Sequence, residues 1–341
     1  MANIDLYSPK VVRKIRDEAK PKRDFLTSLF FGKKETVPTE EILLEISKSG
    51  EHIAPLVTPL ESGRPVIDKT ISTNLVVAPN VGVEYVLTPK DYFLRDPGET
   101  LLNSNYSPAK AVGKRIGEIL QQQETYIANR EELMVSQFLT TGKVQAIADD
   151  VGYEVDYGMT NKSTLQHGKK WGETGINPLA SLDEVLEKAE ETGIMVDTVV
   201  MGSLAAQKLM ESKEFKKEML SKDLQSEFVK TVLRQYPGVV WLGTYKTYGV
   251  ELFRYSRKLI GNDKKAIDLM PKNMIVGGPT KGKILYSPIV NMGKGDIHLT
   301  SRYSNVTSPT EKTKKITTEA RPVLQPCDMD AYFSVVVCDA E

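Results

Sequence analysis

Apolar and polar positions follow three rhythms along the chain, and each predicts a different kind of element. The longest begins at Ser107-Pro108, an N-cap residue followed by proline at the first helical position. Val112, Ile116, Ile119, Leu120, Ile127, Met134 and Phe138 then recur at three-, four- and seven-residue spacings, one stripe of an amphipathic helix. Gly142, after Thr140-Thr141, supplies a C-terminal stop. About 34 residues rising 1.5 Å each give a helix roughly 50 Å long. Gly113 and Gly117 weaken its first turns. Such a length suits a spine better than a compact bundle.

The second rhythm is that of strands. Ile42-Leu43-Leu44-Glu45-Ile46-Ser47 is a short strand-like segment, and Ala54 to Gly63 is extended because Pro55 and Pro59 bias their predecessors away from helix. From Arg64 to Leu87 the chain is rich in Val, Ile and Thr, bounded by Gly63, Pro65 and Pro89 and interrupted at Ala78-Pro79-Asn80. This predicts a long, two-sided-polar β-hairpin or loop that projects from the body. Val144 to Met159 reads as further strands. A second unit opens near Pro178. In it, Ser181-Leu182-Asp183-Glu184 forms a capping box for a helix ending at Gly193, and Ser203 caps another running through Met210. Its strands are Val196–Met201, Val239–Leu242, Val250–Tyr255 and Met274–Gly278, with a turn at Gly261-Asn262-Asp263. Tyr332–Val337 closes the chain as a strand. No internal repeat is present, and the class is α+β.

The third rhythm is a cluster. Phe25, Leu26, Leu29, Phe30 and Phe31 place three of the nine phenylalanines within seven positions. Burying five such side chains is worth about 7–15 kcal/mol. Ordering ten residues of backbone costs about 10–20 kcal/mol, so this knot needs a surface to dock on, in its own subunit or a neighbour's. The arm before it carries Pro9 and Pro21 and too few apolar residues to fold alone.

Composition narrows the picture. The 341 residues are 40% hydrophobic and 26% charged, enough for two folded units with real cores. Lys and Arg total 45 and Asp and Glu 45, so whole-surface binding of nucleic acid is disfavoured. The first 34 residues hold nine basic against four acidic side chains, a basic arm suited to nucleic acid or an acidic partner, or simply solvated. Cys327 and Cys338 match no zinc or redox spacing, and two thiols in so long a chain suggest a reducing compartment. No secretory signal opens the chain and no apolar run nears a bilayer span, so a cytoplasmic chain with no membrane partner is expected and the sequon Asn161-Lys162-Ser163 is read as chance.

Candidate chemistry is sparse. Gly277-Gly278-Pro279-Thr280-Lys281-Gly282-Lys283-Ile284 imitates a phosphate loop, with Ile284 where Ser or Thr should hold magnesium. The residues after it are strand-like and broken by Pro288, whereas such a loop needs a helix there. It is read as a tight basic turn. His52, His167 and His298 lie beyond helical reach of one another. Asp149-Asp150 and Asp328-Met329-Asp330 lack a calcium-loop pattern, the latter pair reading as the end of a turn. Trp171 and Trp241 are core or rim anchors. No catalytic residue, cofactor site or metal site is assigned.

In order and spacing, a set of segments resembles the lambda-type major capsid (head) protein family of tailed phages, a branch of the Hong Kong 97-like capsid fold. They are Phe25–Phe31, Leu56–Gly63, Glu131-Glu132-Leu133-Met134, Tyr153-Glu154-Val155-Asp156, Met270–Gly277 and Asp330–Val335. The resemblance covers nearly the whole chain and is weakest over the first twenty-odd residues. It implies an N-terminal arm (1–40), an extended loop region (41–95) with its hairpin at 63–87, a peripheral domain with the spine helix (96–177), an axial α/β domain (178–290) and a return to the peripheral domain (291–341). Intersubunit contacts then fall to Phe25, Leu26, Leu29, Phe30 and Phe31 in the arm and to Arg64, Val66, Lys69, Val76 and Val83 in the loop.

The function so implied is a shell of pentamers and hexamers around double-stranded DNA, assembled in the host bacterial cytoplasm. The partners implied are further copies of the chain, a scaffolding protein, a portal protein, a decoration protein in the lambda manner, and DNA held weakly and without specificity. Some relatives of the fold crosslink Lys to Asn; Lys69 lies in the loop, but no motif carries that chemistry here. A cellular nanocompartment shell of the encapsulin kind is the alternative, and a nucleotide-binding enzyme using Gly277–Lys283 a distant third. On this reading Phe30→Asp leaves the subunit folded and blocks shell formation.

Overall fold

In a computed structural model, the residues described are 24–48, 70–92, 108–148, 151–191, 194–219, 236–261, 264–291, 295–310 and 313–339, with Val12 and Lys14. The helical stripe forms one helix, Pro108–Thr141, of 34 residues. Ile116, Ile119, Leu120, Ile127, Met134, Val135, Phe138 and Leu139 are all buried along it. It stops where the sequence places the stop. Gly142 adopts φ 71° and its N–H donates to Phe138 O at 2.8 Å, the left-handed cap that glycine enters without penalty. A side chain there has no room, since a Cβ would lie 2.6 Å from Met159 Cβ.

The two halves of the helix serve different layers. Its N-terminal half lies under an antiparallel three-stranded sheet, ordered Tyr303–Thr310, Thr313–Ala320, Val81–Leu87. Val12, Leu87 and Ile316 close a small core there with Ile116, Ile119 and Leu120. Its C-terminal half enters the main core, together with the hairpin Lys143–Ala148 and Val151–Asp156.

A six-stranded mixed sheet organises the rest, in the order Lys162–Thr164, Phe333–Val336, Met274–Gly278, Thr198–Met201, Val250–Tyr255, Val239–Tyr245. The helices Pro178–Glu190 and Ser203–Glu211 pack on it through Leu182, Leu186, Ala205 and Leu209. The closing strand pairs inside this sheet, between Lys162–Thr164 and Met274–Gly278, while Ser334 Oγ donates to Thr140 O at the end of the long helix. It joins the two layers.

Two caps differ from expectation. The helix from Pro178 is capped by Asn177, whose side chain accepts Leu179 N–H at 3.0 Å, so Ser181 and Glu184 lie inside it. Asn followed by Pro at the first helical position outweighs the capping-box pattern. The next helix starts from Gly202, and Lys272 O takes the N–H groups of Leu204 and Ala205.

The expected hairpin at 63–87 is replaced by a different pairing. Thr70–Val77 pairs antiparallel with Glu41–Lys48, from Glu41 opposite Val77 to Lys48 opposite Thr70. Val81–Leu87 pairs instead with Thr313–Ala320. Ala78-Pro79-Asn80 is thus a crossing between sheets and not a turn. The proline explains why: without an N–H it cannot continue the ladder, so the chain changes partners there.

Candidate functional site

The aromatic knot is a helix, Phe25–Phe30, and it docks on its own chain. Phe25 packs edge-on against Tyr236 and Phe253 and tilts against Tyr255, with ring centroids 5.3–5.6 Å apart. Phe31 meets Phe138 of the long helix edge-on at 5.5 Å, and Phe30 tilts against Tyr332 at 6.5 Å. Phe25, Leu26, Phe30 and Phe31 are buried and Leu29 is half-buried. Only Gly32 separates the knot from Lys33–Thr36, which runs parallel to Lys283–Tyr286. The arm is therefore strapped across the body as a helix followed by an edge strand. Because four of the five side chains are buried inside the subunit, Phe30→Asp puts a carboxylate into the core and does not leave the subunit intact as expected.

Beneath the knot lie two fully buried neighbouring carboxylates of the long helix, Glu131 and Glu132. Glu132 caps the knot. Its Oε1 accepts Leu26 N–H at 2.9 Å and Tyr255 O–H at 2.8 Å, and its Oε2 accepts Thr27 N–H at 2.9 Å and Thr27 O–H at 2.7 Å. Burial, reinforced by the nearby Asp24 charge, pushes its carboxyl above the usual range. Asp24 in turn pairs with Arg257 Nη1 at 2.6 Å, and Arg257 Nη2 donates to Asn129 Oδ1 at 2.6 Å.

Glu131 faces the other way. Tyr286 O–H donates to it at 2.7 Å, Arg302 Nη1 lies 2.8 Å away and Lys34 Nζ 3.4 Å. Burial works upward on its carboxyl, but the charges of Arg302 and Lys34 outweigh it and hold the group below the usual range. Arg302 Nε also donates to Glu124 at 3.1 Å. The pair thus ties the arm, the long helix and the segments at 255, 286 and 302 into one buried network. A buried ion cluster adds little net stability but is costly to break, which suits a fixed geometry.

Sequence reasoning missed this network, although a signal was present. Gln123, Glu124 and Glu131 fall in phase with the apolar stripe, where solvated residues do not belong. Gln123 spans the sheet above the helix, donating to Ile316 O and accepting from Thr318 Oγ1.

The remaining loop residues divide. Arg64, Val66 and Lys69 lie outside the described residues, as do His52 and Asp149-Asp150. Val76 is buried in the main core opposite Ile42. Val83 is half-buried, with its carbonyl turned to Gln123. Period-two alternation puts the neighbours of Val76 outside: Leu75 is 60% exposed, Val77 53%, and Leu43, directly opposite Leu75, 52%. The Glu41–Lys48 and Thr70–Val77 ribbon, which pairs with no other described strand, therefore carries an outward apolar face.

The loop that imitates a phosphate site is occupied by protein. Strand Lys283–Tyr286 follows it directly, and Asp197 Oδ2 accepts both the N–H and the O–H of Thr280. Gly282 is demanded by the knot: its N–H donates to Phe30 O, and a Cβ there would lie 2.7 Å from the Phe31 ring. Lys283 pairs with Glu35 at the surface. Trp171 is buried in the core under the two helices, and Asp330 N–H closes a turn onto Asp328. His167 pairs with Glu173 and His298 stacks on Tyr303. Among the described residues no group of three or more metal-ligating side chains occurs, and no helix is long and apolar enough to cross a membrane.

Residues 11–337 match the family described as phage major capsid protein E. The chain belongs to that family. Among solved structures, the phage capsid family member superposes on a protein assigned as the capsid protein of a prophage of Escherichia coli CFT073 with a TM-score of 0.73 and 19% identity, over 97% of this chain and 99% of that one. It superposes on a phage-related protein from Bordetella bronchiseptica RB50 with a TM-score of 0.54 and 10% identity, over 96% of each chain. The architecture is the Hong Kong 97-like capsid fold. A virus-like particle from Pyrococcus furiosus is more distant, with a TM-score of 0.44 at 10% identity over 97% of this chain and 100% of that one. No curated protein sequence matches this capsid protein.

Proposed function

We propose that this capsid protein builds the phage head through its extended hairpin, the ribbon of Glu41–Lys48 and Thr70–Val77, by locking the outward face of that hairpin onto neighbouring copies in pentamers and hexamers. The observation that carries this reading is the ribbon whose inner face, Ile42, Leu44 and Val76, is buried in its own subunit while Leu43, Leu75 and Val77 stand exposed. An outward apolar face on such a ribbon gains from burial against another copy, at about 25 cal/mol per Å². Family membership and the fold support the same reading. The long helix and its overlying sheet take the peripheral role, and the six-stranded sheet with its helices the axial one. The shell encloses double-stranded DNA, is assembled on a scaffolding protein in the host cytoplasm, meets a portal protein at one vertex and takes a decoration protein on its outside. It performs no catalysis. Electron microscopy of the expressed protein, with and without its scaffold, should show shells, tubes or capsomers; a monomer under every assembly condition overturns the reading.

A further inference from the structure

The hairpin must be presented in a fixed direction, and one side chain stands at its root. Arg321 lies between strands Thr313–Ala320 and Pro322–Gln325, where the sheet above the long helix meets the sheet that holds the arm. Its Nη2 donates to Glu40 Oε1 at 3.0 Å and to Ala78 O at 3.3 Å, and its Nη1 donates to Pro288 O at 3.2 Å. Glu40 immediately precedes the first hairpin strand and Ala78 immediately follows the second, so one guanidinium grips both feet of the ribbon. Its backbone is held as well: Ser287 N–H donates to Arg321 O, and Ser287 Oγ donates to Glu40 O.

Apolar packing under Ile42, Leu44 and Val76 fixes how closely the ribbon sits, but such contact is non-directional. A planar guanidinium with donors in a rigid fork fixes an angle. Lysine carries the charge on a single flexible point and cannot reproduce the fork. The structure assigns Arg321 as the pivot of the extended hairpin, a positioning residue that sets the direction in which Leu43, Leu75 and Val77 meet the next copy. The assignment rests on the shell reading for its consequence, but the pivot itself is testable in the isolated subunit.

The test uses the full chain with Arg321→Lys, and with Glu40→Gln as a milder companion that removes only the charged foot. Amide hydrogen exchange of the unassembled subunit should quicken about tenfold across 41–44 and 75–78 in Arg321→Lys, and less in Glu40→Gln, with the six-stranded sheet unchanged. Assembled Arg321→Lys should give particles of mixed diameter or tubes. Unchanged exchange at the hairpin overturns the pivot, whether or not shells form. So does an equal rise over the six-stranded sheet, which makes Arg321 a general stabiliser. A loosened hairpin that still yields shells of uniform wild-type diameter overturns its role in direction. If wild-type chains form no shell at all, the shell reading fails while the exchange result still judges the pivot.

Discussion

At the scale of single residues, the buried pair Glu131 and Glu132 shows neighbours shifted in opposite directions by their surroundings. Glu131, held low by Arg302 and Lys34 against burial, stabilises the fold above its unfolded value near about 4.3 and loses that contribution as pH falls through its lower folded value. Glu131→Gln should therefore flatten the acid limb of the stability profile, read from urea midpoints at successive pH values. Glu132, raised by burial and Asp24, has the opposite sign: its contribution is complete below the unfolded value and is lost as pH rises through the folded one. Glu132→Gln should remove that second loss. Phe30 makes a blunter prediction. It is fully buried beside Tyr332, so Phe30→Asp should cost at least about 4 kcal/mol and yield unstable subunits, seen as a lowered melting temperature before any assembly assay. The apolar residues of the knot were legible because their density is unusual. Their destination was not, because a sequence does not say which distant aromatic rings converge on them.

At the scale of elements, legibility followed periodicity. The long helix was readable almost to the residue, since its stripe, its start at Pro108 and its Gly142 stop agree. Strand existence was readable around 42, 76, 84, 252 and 276, but pairing was not. Thr70–Val77 and Val81–Leu87 look like two arms of one hairpin and belong to two sheets, a choice made by partners far away in sequence. The glycine-lysine loop carries a separable prediction. Gly282→Ala forces a methyl group against Phe31 and should cost about 1–3 kcal/mol with faster exchange across the knot. Lys283→Ala removes only a surface ion pair with Glu35 and should change the denaturation midpoint by less than about 0.5 kcal/mol equivalent. A phosphate-binding loop reverses that order of sensitivity, with the lysine decisive for ligand affinity.

At the scale of the molecule, assembly and folding draw on different faces of the same ribbon. Leu43→Lys combined with Leu75→Glu places complementary charges on facing positions more than half exposed, so subunit stability should move by less than about 1 kcal/mol. Shells should nevertheless fail to form, as seen by electron microscopy of the purified variant. Normal particles from that double variant would remove the hairpin from the contact. The overall reading as a shell protein was available from the order of segments along the chain. The face of the ribbon that serves it was not, because a shift of one position moves every side chain to the other side and the sequence there is apolar on both.

The strap also sets a schedule. The knot leaves the ribosome long before the rings of Phe253, Tyr255 and Tyr332 that complete its cover are made. At about 5–20 residues per second, roughly 300 residues separate exposure of Phe30 from arrival of Tyr332, an interval of about 15–60 s. For that time each nascent chain carries an incompletely covered aromatic segment that a chaperone can hold and a neighbouring nascent chain can catch. Covering of the knot therefore waits for Tyr332, so chains cut short before that residue keep an aromatic surface that longer ones hide.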